Sequence, residues 1–337
     1  VSPDAPDVSI VVVNWNGKPH LRTCLEAVFA QRDAPPFEVV LVDNGSTDGS
    51  VAFVREAFPA VRLVVLERNL GFTGGNNAGA REARGRYLVF LNNDTAAQPG
   101  WLAALRRAVD EPAGVVLTTS RVVYMHDPEI VDSAGDGMLQ WGGAFKRLHG
   151  APASAALESC EVFGVCGAAC LVSKTVFDEL DGFDEAFFVS HEDVDLSYRA
   201  RLLGYRCWYA ADAVVHHKGS ATLGRTSAFA VYHGQRNLEW VYVKNSPLGV
   251  LLRSLPGHVV YTMAAAGYFT RLGLLGPFLR AKLAAAAGLP RVWRQRAVVQ
   301  GTRRVGASAI WPLLERRWLT TKRREKRFDT GLVGRSG

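Results

Sequence analysis

Three carboxylates crowd into FVSHEDVDLSYR (Phe188 to Arg199): Glu192, Asp193 and Asp195, directly after His191. Acids this close raise one another's pKa and cost stability, so the chain must compensate them or use them. One account is local. Ser190 is placed as a helix N-cap with Asp193 as its capping-box partner, in a helix from about Glu192 to Leu203 that stops at Gly204. First-turn acids there gain about 0.3–1 kcal/mol each from the helix dipole. The other account is chemical: a carboxylate in such a cluster is a candidate general base for a hydroxyl nucleophile. The stretch alone allows both.

A second concentration of polar side chains falls at regular points: Asn14 and Asn16, then Asp43, Asn44 and Ser46, then Glu67 and Asn69, then Asn92, Asn93, Asp94 and Thr95. Each group follows an apolar, β-branched run: VSIVVVNW from Val8, FEVVLVDN from Phe37, VRLVVLE from Val61 and RYLVFLNND from Arg86. Such runs read as strands buried on both faces of a parallel sheet. Helical segments alternate with them, roughly 20–30, 50–57, 75–83 and 100–109, the second opened by a turn-and-cap signature. Repeated βα units predict a doubly wound α/β sheet whose ligands gather at the strands' carboxyl ends. Loop chemistry explains any one of these side chains; four strand ends in succession predict a shared crevice. The glycine-rich NLGFTGGNNAGAREARG (Asn69 to Gly85) could bring backbone amides to phosphate oxygens, yet it fits neither the dinucleotide nor the P-loop fingerprint.

The chain has 337 residues, 48% hydrophobic and 21% charged, which predicts an ordinary globular protein of one or two domains. Its five cysteines lack metal-ligand spacing and read as small buried hydrophobes in a reducing compartment, hence cytoplasmic. No basic start followed by an apolar core opens the sequence. Further strands are expected in GVVLTTSRVVY (114–124) and FGVCGAACLVS (163–173), separated by an irregular stretch from Asp132 to Gly150. The net charge of +7 sits at one end: from Arg291 onward there are thirteen Lys/Arg against three Asp/Glu. That asymmetry points to an acidic surface, membrane or nucleic acid. The apolar stretch around 248–293 is interrupted by Arg253, Pro256, His258, Arg271 and Arg280, too often for a spanning helix. It suits helices lying in a membrane interface, with RRWLTTKRREKRF (Arg316 to Phe328) as a polybasic supplement for anionic lipid. No recognised nucleic-acid module accompanies the tail, so nucleic acid is not expected as a partner.

Six segments together resemble the serial motifs of family 2 glycosyltransferases, nearest the bacterial rhamnosyltransferase-like branch: SIVVVNWNG, VVLVDNGSTDGS, ERNLGFTGGNNAG, YLVFLNNDT, GFDEAFFVSHEDVDLSYRARLLGY and VVHHKGSAT. The resemblance runs from about Val8 to Pro247. It implies a GT-A fold, a nucleotide-sugar donor, a divalent cation (Mg²⁺ or Mn²⁺) and inversion at the anomeric carbon. It implies residues 1–240 as the catalytic domain, donor-binding to about 112 and acceptor-binding after it, with a helical, basic, membrane-associating extension over 241–337. Carried over by position, Asp43 would hydrogen-bond the base beside Asn14 and Ser46, while Asn69, Gly74, Asn76 and Asn77 would line the donor pocket. Asn92 and Asn93 stand where a carboxylate often sits, Asn92 touching ribose or diphosphate, and Asp94 would hold the metal. His217 would complete the metal site, with His216 as the alternative pointing to the other face of an extended segment. Asp193 would be the general base and Glu192 would help position the acceptor. The expected reaction moves L-rhamnose from dTDP-rhamnose onto a lipid-linked or cell-envelope glycan at the cytoplasmic membrane face. Two competitors are a sugar nucleotidyltransferase, for which NWNGKPH lacks the basic glycine-rich loop, and a non-catalytic glycan-binding scaffold, against which Asp94 and Asp193 both speak.

Overall fold

The computed structural model describes residues 5–110, 113–219 and 227–333. Three βα units open the chain: β1 (Val8–Asn14), α1 (Lys18–Phe29), β2 (Phe37–Asp43), α2 (Ser50–Ala57), β3 (Arg62–Val65) and α3 (Gly71–Glu82). Then come β4 (Tyr87–Asn92), β5 (Thr95–Ala97), α4 (Trp101–Asp110) and the long β6 (Val115–Tyr124). Short strands follow: β7 (Val131–Ser133), β8 (Asp136–Met138), β9 (Ala144–Lys146), β10 (Cys160–Val162) and β11 (Ala169–Ser173). After α5 (Lys174–Glu179), α6 (Glu192–Leu202) and β12 (Arg206–His217) the described chain is helical. These helices are α7 (Ala228–Asn245), α8 (Leu248–Arg271), α9 (Leu275–Ala287), α10 (Leu289–Thr302), α11 (Ala307–Ile310) and α12 (Trp318–Val333).

The main sheet runs β10-β12-β6-β11-β4-β1-β2-β3. β4, β1, β2 and β3 are mutually parallel, and β11 enters antiparallel between β4 and β6, so the sheet is mixed. Alternate residues of β1 feed two cores, which is why the strand reads as a continuous apolar run. Val8, Ile10 and Val12 pack with Leu21, Leu25 and Trp101 of α1 and α4. Val11 packs on the other side with Phe90, Phe177 and Phe183. β3 departs from the expectation: it is the sheet edge, and its Arg62 and Val65 are exposed. The expected strand over 163–173 shortens to β11, because Gly164 and Gly167 keep the preceding backbone clear for close approach to α6. A Cβ at Gly164 would lie 2.7 Å from the Ser197 Cβ. The stretch expected to be irregular carries β7, β8 and β9.

The later helices belong to the fold through a third core. Phe187, Val194 and Tyr198 around α6 pack with Leu238, Trp240 and Val241 of α7, Val250 of α8, Val292 of α10 and Ile310 of α11. Burying one such side chain contributes about 1.5–3 kcal/mol. α7 runs across position 240, and α8 continues through Pro256 for 24 residues. No helix among the described residues is long and apolar enough to cross a membrane. The polybasic segment is only partly outward. Arg323 and Arg324 are exposed, but Lys322 donates to the Ala144 carbonyl and pairs with Glu325, and Lys326 sits over the Tyr268 ring.

Candidate active site

The carboxyl ends of β1, β2 and β4 lie side by side because Asn14 pairs with Asp43 and Val13 with Asn92 in register. Their side chains form one network. The Asn93 amide donates to Asn14 Oδ1 at 2.8 Å, and the Asn14 amide donates to Asp43 Oδ2 at 3.1 Å and Ser46 Oγ at 3.2 Å. Ser46 N–H closes the turn onto Asp43 Oδ1 at 2.9 Å, over Gly45 at φ +78°. Asn14 and Asp43 are buried beneath the crevice rather than lining it. Asn69 and Asn44 tie β2 to the start of α3 through a 3.0 Å bond.

A cavity of about 640 Å³ opens above this network, lined by Asn69, Asn76, Asn92, Asn93, Asp94 and His217 together with Trp15, Phe72 and Phe188. Of the four residues expected to line the donor pocket, two fall outside it, and Ser46 joins Asn14 and Asp43 beneath it. Asn77 turns away to hold the following loop, donating to the Phe183 carbonyl at 2.8 Å and accepting from Phe183 N–H at 3.0 Å. Gly74 packs under Leu70, whose Cβ would lie 2.6 Å from any added Cβ.

Asp94 and His217 are brought together by β5, which pairs Thr95 with His217 and Ala96 with His216 on β12. The period-2 alternation of a strand then separates the two histidines. His217 Nε2 lies 3.2 Å from Asp94 Oδ1, whereas His216 faces Gln98 on the other side, 3.1 Å away. Ser220 to Thr222 of the VVHHKGSAT motif lie outside the described residues. The imidazole is fixed from behind by Asp132, a carboxylate that sequence reasoning missed, at 2.8 Å from Nδ1. Asp132 is fully buried; burial would raise its carboxyl, but Lys146, His149 and His217 hold it well below the usual range. Burial likewise opposes the His217 imidazolium, and the two flanking carboxylates outweigh it, raising His217 to about 9. Asp94 is correspondingly lowered against its own burial, through its bond and charge interaction with His217.

The loop before α6 carries the acidic cluster in an unusual backbone. Phe188, Ser190 and His191 all have positive φ, at 65°, 76° and 66°. The N-cap is therefore His191, in the left-handed region, and no side chain caps the helix. This corrects the Ser190 expectation: the capping box does not form because Ser190 itself is left-handed. Asp193 is used differently, accepting from Gly167 N–H at 2.8 Å and Val194 N–H at 2.8 Å. Strained loops persist only where their surroundings over-determine them. Here Asn237, fully buried on α7, donates to the carbonyls of Phe187, Val189 and Ser190 at 3.0, 2.8 and 2.8 Å. Arg236 adds bonds to Ala186 and Phe187.

The three acids take three different states. Asp195 is fully buried and pairs with Arg199 at 2.8 Å and Lys244 at 2.8 Å, locking α6 to α7. Glu192 is buried, and burial followed by its neighbour Asp193 pushes its carboxyl well above the ordinary range. Asp193 stands partly open in a second cavity of about 460 Å³, which shares Phe72, Asn92, Val189 and His217 with the first. Asp136, also missed from the sequence, approaches Asp193; burial and then that charge push its carboxyl well above its usual value. An acid inside a β-like run (IVDSAGD, from Ile130) was the only signal for Asp132 and Asp136.

The Glycosyl transferase family 2 model matches residues 9–181, about half of the chain. N-acetylglucosaminyl-diphospho-decaprenol L-rhamnosyltransferase of Mycobacterium tuberculosis is 29% identical over 260 residues, covering 66% of this chain and 80% of that protein. O-antigen biosynthesis protein RfbC of Myxococcus xanthus is 32% identical over 228 residues, covering 64% of this chain but 18% of that longer protein. Among solved structures, mannosyltransferase PcManGT from Pyrobaculum calidifontis, in complex with GDP-Man and Mn²⁺, superposes with TM-score 0.53 at 20% identity, over 88% of this chain and 86% of that one. S. aureus TarS 1-349 in complex with UDP-GlcNAc gives TM-score 0.56 at 17% identity, over 88% and 87% of the two chains. With the family's motifs at its strand ends and this sheet beneath them, the chain belongs to glycosyl transferase family 2 and is a glycosyltransferase of GT-A fold.

Proposed function

We propose that this glycosyltransferase moves a sugar, L-rhamnose from dTDP-rhamnose, onto a lipid-linked or cell-envelope glycan with inversion. The observation that carries this reading is the junction of the two cavities: Asp193 opens into one, Asp94 into the other, and they meet at Phe72, Asn92, Val189 and His217. The donor diphosphate would lie over the β4 end, with Trp15 and Phe188 flanking base or sugar. Asp193 takes the proton from the acceptor hydroxyl as its oxygen attacks the anomeric carbon, opposite the departing diphosphate. Two backbone N–H bonds orient that carboxylate. Glu192, whose carboxyl burial and Asp193 push toward the neutral form, would donate a hydrogen bond to the acceptor when protonated.

Asp94 and His217 fit a hard divalent cation, Mg²⁺ or Mn²⁺. Their facing atoms are an oxygen and a nitrogen 3.2 Å apart, and the second imidazole nitrogen is held by a carboxylate, the usual outer support of a metal-bound histidine. Such an ion stabilises negative charge on a leaving diphosphate. The rhamnose and the polyprenyl-diphosphate acceptor follow the name of the mycobacterial relative.

The membrane reading rests on α8 to α10 more than on α12. Between Trp240 and Leu314 there is no aspartate or glutamate, against ten lysines and arginines. Leu248, Leu252, Leu255, Val259 and Met263 recur every three to four residues along α8, each at least half exposed. An apolar stripe amid cations suits an anionic bilayer surface, from which a lipid-linked acceptor would arrive. The deciding experiment is calorimetry with dTDP-rhamnose, UDP-GlcNAc and GDP-mannose, with Mn²⁺ and then with chelator. Metal-dependent binding of dTDP-rhamnose supports the reading, a different preferred donor replaces the sugar, and binding of none refutes the donor site.

A further inference from the structure

Two buried polar atoms in the Asp193 cavity have no hydrogen-bond partner among the described residues: Glu192 Oε2 and Gln235 Oε1. Glu192 is only 6% exposed. Buried polar atoms in native proteins are paired, so two orphans in one cavity beside a carboxylate base mark positions that a ligand completes. The same cavity is lined by aromatic side chains, Tyr261, Tyr268 and Phe269 of α8 and Phe145 of β9. Charged side chains line it as well, among them Lys146, Lys322, Glu325 and Asp329, and hydrogen-bonding groups set among ring faces fit a saccharide, which presents hydroxyls at its rim and C–H groups on its faces.

The cavity is walled by α12, an element far from it in sequence. Glu325 Oε1 accepts from Lys146 N–H at 2.9 Å, and His149 Nε2 lies 3.1 Å from Asp329 Oδ1. The Phe328 ring stacks on Tyr124 at 5.7 Å and meets His149 edge-on at 5.1 Å. Gly150, at φ +73°, leaves the room this ring needs, since a Cβ there would come within 2.5 Å of it. Lys326 lies 5.0 Å from the Tyr268 ring centre, which holds that aromatic in place. These contacts are specific, not those of a tail resting on a surface.

We propose that α7, α8 and α12 complete an acceptor-sugar subsite, in which Glu192 and Gln235 take the hydroxyls of a saccharide and α12 is the wall that selects it. The proposal rests on the reading that Asp193 faces the acceptor. It makes α12 a specificity element and Gln235 a positioning residue.

The test uses the full chain and saturation-transfer NMR with N-acetylglucosamine, glucose and rhamnose as probes, beside calorimetry with dTDP and Mn²⁺. At least one sugar binds the wild type. Gln235→Leu weakens it about five-fold or more, as expected for one lost hydrogen bond with its partner left unpaired. Phe328→Ala, which undocks α12, does the same and flattens the preference among the three sugars. Nucleotide binding stays unchanged in both variants, which shows that they are folded. Tyr268→Leu serves as a second packing variant if Phe328→Ala unfolds. Sugar binding that is absent from the wild type, or unchanged in Gln235→Leu and in the packing variant, overturns the proposal. Failure of dTDP to bind the wild type refutes the donor reading instead, and the sugar titrations still decide this one.

Discussion

Replacing Asn237 by alanine isolates what holds the loop before Asp193, the proposed base, in place. Its amide supplies the Val189 and Ser190 carbonyls at 2.8 Å each and shares the Phe187 carbonyl with Arg236. Arg236 keeps Phe187 satisfied in the variant, so two carbonyls lose their donor. At about 1–3 kcal/mol for each orphaned buried acceptor, and with the loop partly open to water, the loss is about 2–4 kcal/mol of stability. The larger effect is on turnover. Phe188, Ser190 and His191 sit at positive φ, each costing on the order of 1 kcal/mol, and without the clamp the loop relaxes and carries Asp193 with it. A displacement of about 1 Å costs about a hundred-fold in rate. Urea unfolding and steady-state transfer, with donor affinity by calorimetry, check both effects: kcat falls about a hundred-fold while donor affinity stays within two-fold. Turnover within three-fold of wild type would refute the clamp, and donor affinity falling in parallel would show that the residue holds the whole crevice instead.

Asp193→Asn keeps only one of the two backbone hydrogen bonds, since Gly167 N–H donates to Oδ2 and Val194 N–H to Oδ1, and it cannot take a proton, so transfer is abolished with donor binding retained; a variant with normal turnover would sink the assignment. Burial alone would raise the Asp184 carboxyl, yet Lys244 and Arg291 hold it down to about 2, below its ordinary 3.8. Its contribution is therefore present above about pH 4 and lost as pH falls through about 2. Asp184→Asn should lower stability at pH 7 and converge on wild type near pH 2, and unfolding curves offset equally at both pH values would contradict this. Leu252→Glu with Met263→Glu should release the protein from phosphatidylglycerol vesicles in flotation while leaving binding of dTDP-rhamnose intact. Equal flotation of wild type and variant would exclude α8 as the lipid-facing element.

The strands that build the crevice were legible because burial on both faces leaves an unbroken apolar run: β1, β2 and β4 end where Asn14, Asp43 and Asn92 begin the polar groups. That His216 and His217 face opposite sides was legible too, since strand alternation needs no tertiary information, whereas which of them meets Asp94 is set by the pairing of β5 with β12. Asp132 and Asp136 were not legible. Their short strands have no periodicity long enough to read, and the groups they meet come from distant elements, His217 of β12 for Asp132 and Asp193 of α6 for Asp136. Ser190 misled because a capping pattern describes side-chain identity, whereas the left-handed backbone there is imposed by Asn237, 47 residues on. Asn77 misled for a related reason: a glycine-rich helix start suggests a ligand, but the loop 183–185 occupies that amide. The charge of the last helix was counted correctly and assigned wholly to anionic lipid, while Lys322 and Lys326 make contacts within the protein.

The docking of α12 has a consequence for the order in which the molecule assembles. The bonds joining Lys146 to Glu325 and His149 to Asp329 close separations of 179 and 180 residues. Contacts so distant in sequence carry the largest loop-closure entropy and form late, after the neighbouring β1, β2 and β4 have paired. The β1, β2 and β4 ends of the first cavity thus form in a chain whose second cavity still lacks a wall. Hydrogen exchange should find α12 opening separately from the sheet, at a lower free energy than global unfolding. If the second cavity takes the acceptor as proposed, a nucleotide sugar held in such a partly closed molecule would have water as its nearest nucleophile, and the docking equilibrium of one helix would set the ratio of donor hydrolysis to transfer.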